Sequence, residues 1–234
     1  MHQGKMKIAA MTAVLVAILA GGIPFVWGQQ GQTLPAAPQP TVPEFFTIMG
    51  QFTRVANNNE GFATMGYRTA QGSIGQDWLL LDAGFTLLKG TKDYELKREH
   101  ITVKIPDGKI VRLATREEFN KAGGCRNLVV RDNKVNDSID YFPNTVSRPC
   151  VMNFFGAPGK VSYDQVELSY DRACLGRLFF NIPGGIVPGQ YWLVIQFATS
   201  ELQVPFRIMT KDEEALFRKN WQDMKKAHED ALKQ

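Results

Sequence analysis

From residue 44 to residue 209 the chain repeats one theme: short apolar runs cut by Gly, Pro, Asn and Asp. Ile101 to Ile105 alternates, with Ile101, Val103 and Ile105 on one side of a strand and Thr102 and Lys104 on the other. Pro106-Asp107-Gly108 supplies a turn, and Ile110 to Leu113 completes a predicted hairpin. Phe45 to Val55 reads as a strand interrupted at Gly50. Trp78 to Leu88 is apolar almost throughout, with a bend or bulge predicted near Gly84. Leu128 to Arg131, Val151 to Phe155, Tyr163 to Tyr170 and Leu178 to Ile182 are further strand candidates. The clearest pair comes last. Gly189 to Phe197 leads through Ala198-Thr199-Ser200 into Leu202 to Ile208, where Pro205 cannot donate to a ladder and so marks an edge strand or a bulge.

Helical periodicity intrudes twice. Thr115-Arg116-Glu117-Glu118 has the form of a capping box and opens a short helix that stops at Gly123-Gly124. Thr210-Lys211-Asp212-Glu213 is a second box. Beyond it Phe217, Trp221, Met224 and His228 recur at helical spacing, which predicts an amphipathic helix from Lys211 to about Leu232. Long helices able to cover a parallel sheet are not evident. The expected architecture is therefore an all-β, antiparallel sandwich over residues 44–209, with a short internal helix and an amphipathic C-terminal helix over 210–234. The final aromatic strand and edge strand resemble the end of an immunoglobulin-like sandwich, in architecture alone, since the Cys…Trp…Cys signature of true immunoglobulin domains is not evident.

The first 43 residues change the picture of where this domain works. Lys5 and Lys7 precede an apolar run, Ile8 to Ala20, broken afterwards by Gly21, Gly22 and Pro24. Residues 1–28 thus have the order of a signal peptide, with Val26 and Gly28 at the −3 and −1 positions of a cleavage site. An uncleaved anchor is the alternative, because Ile8 to Trp27 approaches the ~20 residues that span a bilayer. Residues 29–43 carry Pro35, Pro38, Pro40 and Pro43 among small and polar residues and read as a disordered linker. The predicted location is periplasmic or extracellular, tethered to the inner membrane if the first segment is retained. The net charge of +4 loses Lys5 and Lys7 on cleavage. The remaining bias is too weak, and too scattered, to argue for a nucleic-acid partner.

Export makes the three cysteines candidates for pairing. Loops of about 25 residues (Cys125–Cys150, Cys150–Cys174) and about 50 (Cys125–Cys174) differ by only ~0.6 kcal/mol in chain entropy, so geometry must choose. If the Val151 strand lies antiparallel to the Tyr163 strand, Cys150 and Cys174 meet. If it pairs antiparallel with the Leu128 strand instead, Cys125 and Cys150 sit at opposite ends of the hairpin. The expected disulfide is therefore Cys150–Cys174, with Cys125–Cys150 as the alternative. A reactive Cys174 between Arg172 and Arg177 would need a base. Beyond the leader, only His100 and His228 offer one, and His100 is expected to face solvent. There is no Gly-x-Ser-x-Gly, His-Glu-x-x-His or Cys-x-x-Cys, and Gly156-Ala-Pro-Gly-Lys160 departs from a phosphate loop at both ends. Asp132 to Asp140 has oxygen ligands at short spacing, but Lys134 occupies a calcium-ligand position, so it reads as a solvated loop. No catalytic residue, metal site or cofactor is predicted.

Aromatic residues on polar loops remain as recognition candidates: Phe62, Tyr67, Tyr141 and Phe142, with Phe217 and Trp221 on the terminal helix. The functional expectation is an exported, non-catalytic binding or structural module of the bacterial cell envelope. Its partner would be a protein or glycan of the envelope, or a second copy of the chain through the C-terminal helix. The alternatives are a secreted hydrolase with a carboxylate-based site not visible in sequence, and a membrane-tethered accessory subunit that docks through the same helix.

Overall fold

The computed structural model describes residues 45–156 and 161–231. The leader, the linker, residues 157–160 of the Gly156–Lys160 run and the last three residues lie outside them.

The described chain is mostly β. Four strands run as an antiparallel meander, β1 (Phe45–Gly50), β2 (Thr53–Asn57), β3 (Gly61–Gly66) and β4 (Trp78–Leu87). Two short strands, β5 (Tyr94–Lys97) and β6 (Ile101–Lys104), flank a 3-10 turn, and β7 (Ile110–Arg112) closes the predicted hairpin with β6. After the helices come β8 (Arg148–Val151), β9 (Gln165–Leu168), β10 (Arg172–Asn181), β11 (Gly189–Gln196) and β12 (Glu201–Ile208). They form a six-stranded sheet, β1-β2-β3-β4-β10-β8, a four-stranded sheet, β12-β11-β6-β7, and a small β5-β9 pair. The edge position of β12 accommodates Pro205 as predicted.

One strand breaks the antiparallel expectation. β8 runs parallel to β10, with Cys150 directly opposite Cys174. These two cysteines form the disulfide, their Cα atoms 4.1 Å apart. The pair is the expected one, but the reason differs. β8 is an edge strand beside β10, not a partner of the Tyr163 segment, and Cys174 lies within β10 because that strand begins six residues before Leu178.

The burial pattern explains the long apolar run in β4. Leu79, Leu81, Ala83, Phe85 and Leu87 point into the main core, shared with Leu193, Ile195, Val204 and Phe206 of the four-stranded sheet. Leu80 points the other way, into a smaller core with Phe119, Leu128 and Phe179. A strand covered on both faces loses the alternation of a half-exposed one. No bulge occurs at Gly84, where the β4–β10 register runs without interruption. Gly84 is small because the ring of Phe142 sits where a Cβ would be.

The second face of the six-stranded sheet is roofed by helices. α1 (Arg68–Gln71) follows β3. α2 (Arg116–Lys121) opens with the predicted capping box, Glu118 N–H donating to Thr115 Oγ1 at 3.1 Å. Gly123 and Gly124 adopt positive φ and turn the chain into α3 (Arg126–Val135). The expected Leu128 to Arg131 strand is thus a helix. Leu128 and Asp132, four apart, face inward, so the inward stripe contains an acid that a polarity pattern assigns to the surface. Asp132 is accordingly no part of a solvated loop. α4 (Lys211–Ala231) follows the second capping box, with Thr210 and Glu213 bonded reciprocally at 2.9 and 3.2 Å.

Candidate functional site

The roof over the outer face of the six-stranded sheet is incomplete, and the gap is a cavity of about 710 Å³. Its floor comes from β4 and β10, which place Leu80 beside Phe179, Asp82 beside Arg177 and Gly84 beside Leu175. Its side wall is β8 and the residues after it, Val151, Met152 and Asn153. β8 lies tight against β10 because Met152 N–H donates to the Leu175 carbonyl at 2.8 Å, while Gly176 leaves room for the Met152 carbonyl. α3 and the loop after it supply the opposite wall through Val129, Val130, Asn136, Asp137 and Ile139. One end is closed by the rings of Phe119, Phe155 and Phe179, with centroids 4.8–5.0 Å apart. The lining is therefore mostly aromatic and aliphatic, with a charged cluster at the floor and Arg126, Asn136 and Asn153 on the walls, the usual make-up of a small-molecule site.

The charged cluster is built from α1, β4, α3, the loop after α3, and β10. Asp132 of α3 is fully buried. It accepts from Thr69 Oγ1 at 2.7 Å through one carboxylate oxygen and from Arg177 Nε at 2.7 Å through the other. Arg177 also donates to Asn133 Oδ1 at 2.5 Å. Asp137 is held by Arg68 in a two-pronged contact at 2.8 and 2.9 Å. Asp82 is left with less. The Arg177 Nε lies 3.8 Å from it, beyond hydrogen-bond reach, and its side chain is 16% exposed. Burial, then the charge of Asp132 and a hydrogen bond to it, push the Asp82 carboxyl up to about 7, against the weaker pull of Arg177. Asp82 is thus a carboxyl that changes charge near neutral pH, at the floor of an apolar cavity. Among the described residues, no three His, Cys, Asp or Glu side chains are arranged to hold a metal ion.

The recognition candidates do not converge on this cavity. Tyr67 is buried in the main core, edge-on to Phe52 and bonded to the buried Arg54 guanidinium. Phe62 is buried on the outer face and packs on the half-buried Phe142, centroids 6.1 Å apart. Tyr141 is half-buried in the same loop. Phe217 joins the main core, and Trp221 packs beside it at 5.5 Å. His100 does not project into solvent alone; Tyr94 Oη lies 2.7 Å from its Nδ1 and the two rings stack. Cys174 carries no thiolate, being in the disulfide, and Cys125 is buried, its thiol pushed up to about 11 by burial.

Sequence reasoning passed over Asp82. A signal was there: it is the one acid inside the most apolar run of the chain, and a carboxylate in a strand buried on both faces is expensive unless something uses or pairs it. No family model matches the chain, and no curated protein or solved structure is detectably similar to it.

Proposed function

We propose that the protein is an exported, non-catalytic binding module of the bacterial cell envelope, and that the cavity over β4, β8 and β10 is its binding element. The observation that carries this reading is the cavity itself: about 710 Å³, mostly apolar, with a charged cluster at its floor and a few polar side chains on its walls. Export rests on the order of charges and apolar residues in positions 1–28, and the disulfide fits an oxidising compartment. Among the described residues no helix is long and apolar enough to cross a membrane, so a tether would have to be the N-terminal segment. An apolar lining suits a small amphiphile better than a glycan. The same reading keeps the immunoglobulin-like description for the two facing sheets, supported by the β11–β12 hairpin, with parallel β8 as its departure.

A second reading, a carboxylate hydrolase, draws on Asp82. Its ionisation near neutrality suits a general acid. The binding reading is preferred because both oxygens of Asp132 are already engaged, which leaves no second free carboxylate beside Asp82 to activate a water.

The test is titration of the protein with N-phenyl-1-naphthylamine, a neutral apolar fluorophore. Val130 is 47% exposed on the cavity wall, so Val130→Trp should fold normally and obstruct the opening. A fluorescence rise with the unaltered protein, and affinity at least about tenfold weaker in the variant, is expected. Equal binding by both proteins removes the cavity from the proposal.

A further inference from the structure

We infer that the cavity takes an amphiphile with an apolar body and a single cationic nitrogen, and that the cation is held by Asp82. This rests on the cavity being the binding element.

Three carboxylates at the floor, Asp82, Asp132 and Asp137, act on one another. Two guanidiniums answer them among the described residues. Arg177 is committed to Asp132 and Asn133, and Arg68 to Asp137. Each of those acids has a close, directed cation; Asp82 has Arg177 only at 3.8 Å. The cluster is one positive charge short, and the shortfall lies at Asp82, which lines the cavity as Asp137 does but lacks a close cation. A proton on Asp82 can make up the difference. A ligand ammonium does so better, since it brings both charge and directed N–H donors to a carboxylate screened from water. Asn136 and Asn153 on the two walls offer further amide oxygens to its remaining N–H groups.

An anionic head group has a poorer seat. Arg177 and Arg68 are already paired. Arg126, the other arginine on the lining, begins α3, about 9 Å along the helix from Asp132 at 1.5 Å per residue. A metal ion is also disfavoured, because these carboxylates do not close around a point.

The groups that face Asp82 are Asp132 and Asn133 on α3, Arg177 on β10, and Asp137 with its Arg68 partner from α1. Apart from Asp82, these acids are already held by cations, so the pH dependence of amine binding should follow Asp82. Ionisation of Asp82 must accompany amine binding, so affinity should rise with pH across its titration.

The experiment displaces bound N-phenyl-1-naphthylamine with decylamine, decanol or decanoate at pH 8 and pH 6. At pH 8 decylamine should displace at about tenfold lower concentration than decanol or less, with decanoate weakest. Its advantage should shrink about tenfold at pH 6, where most of Asp82 is protonated. Asp82→Asn, checked for folding by thermal melting, should bring the amine-to-alcohol ratio to about one. If the variant does not fold, the pH dependence in the unaltered protein decides. Fluorophore binding with equal displacement by amine and alcohol, a pH-independent amine preference, or strongest displacement by decanoate overturns the assignment to Asp82 while leaving the cavity as a binding site. Absence of fluorophore binding overturns both.

Discussion

Glu60 accepts a hydrogen bond from Ser200 Oγ at 2.7 Å and so ties the β2–β3 turn to the β11–β12 turn, one from each sheet. Thr199 adds its backbone N–H at 3.1 Å and its hydroxyl at 3.0 Å. Asn58 reaches the same Ser200 oxygen from the first turn at 2.9 Å. Burial pushes the Glu60 carboxyl up, but the hydrogen bonds from Ser200 and Thr199 outweigh it and hold the group below its usual value. The folded value is depressed. The stabilisation is therefore complete above the unfolded value of ~4.3 and lost as pH falls through the folded one. Glu60→Ala should cost about 2–3 kcal/mol at pH 7. Urea melts should show the gap between the two proteins narrowing below pH 4; a constant gap would refute the charge-based account.

Asp82 has the opposite sign. Its folded carboxyl is raised from 3.8 to about 7, so the folded state binds the proton more tightly than the unfolded chain does. This contribution is full below the unfolded value and is lost as pH rises between about 4 and 7, with a slope of at most about 1.4 kcal/mol per pH unit. Asp82→Asn should flatten the stability profile over that window and be relatively more stable at pH 8. Melting temperatures from pH 4 to 8 test it, and parallel profiles for both proteins would show that Asp82 does not titrate there.

The disulfide closes a loop with a sequence separation of 24, for which the chain-entropy estimate is about 3.4 kcal/mol. Reduction should lower the melting temperature by roughly 7–14 °C for a domain of this size. Iodoacetamide at pH 8 should leave the native oxidised protein unlabelled. Cys125 is 7% exposed and its thiol, pushed up to about 11, is almost wholly protonated at that pH. After denaturation without reductant, mass mapping should find a single label, on Cys125. Native labelling of Cys174 would contradict the pairing.

α4 is anchored at its first turns. Phe217 is 4% exposed within the main core, so Phe217→Ala should cost about 3–4 kcal/mol. Its neighbour Leu216 is exposed, and Leu216→Ala should change stability by no more than about 0.5 kcal/mol. Truncation after Thr210 should lower the melting temperature at least as much as Phe217→Ala. A truncated domain that melts like the full chain would mean that the helix does not contribute to the core.

Much of the strand order was legible because it rests on local chemistry. The alternation in Ile101 to Ile105, the Pro106-Asp107-Gly108 turn and the two capping boxes each specify their element within a few residues. The α3 segment was not, since Leu128-Val129-Val130 is a short apolar run with two β-branched residues, whose partners define it only in three dimensions: Leu128 in the small core, Val129 and Val130 on the cavity wall. The cavity was equally out of reach. Asp82, Asp132 and Arg177 are far apart in the chain and meet only after β4 and β10 pair. Cys125 illustrates a third kind of limit. Its left-handed backbone, φ 48°, follows from the reversal at Gly123-Gly124 and not from any preference of cysteine.

The pairing of β4 with β10 also sets the order in which the molecule can assemble. Leu81 lies opposite Leu178, about 100 residues later, so the central seam of the large sheet carries a heavy loop-closure cost. The meander of β1 to β4 and the hairpin of β11 and β12 are local and should form early; the seam should come late and set the folding rate. α2, α3 and β8 all lie inside the segment that the seam closes. The cavity floor cannot exist before that event, so the rate-limiting step of folding and the creation of the cavity are expected to be one and the same.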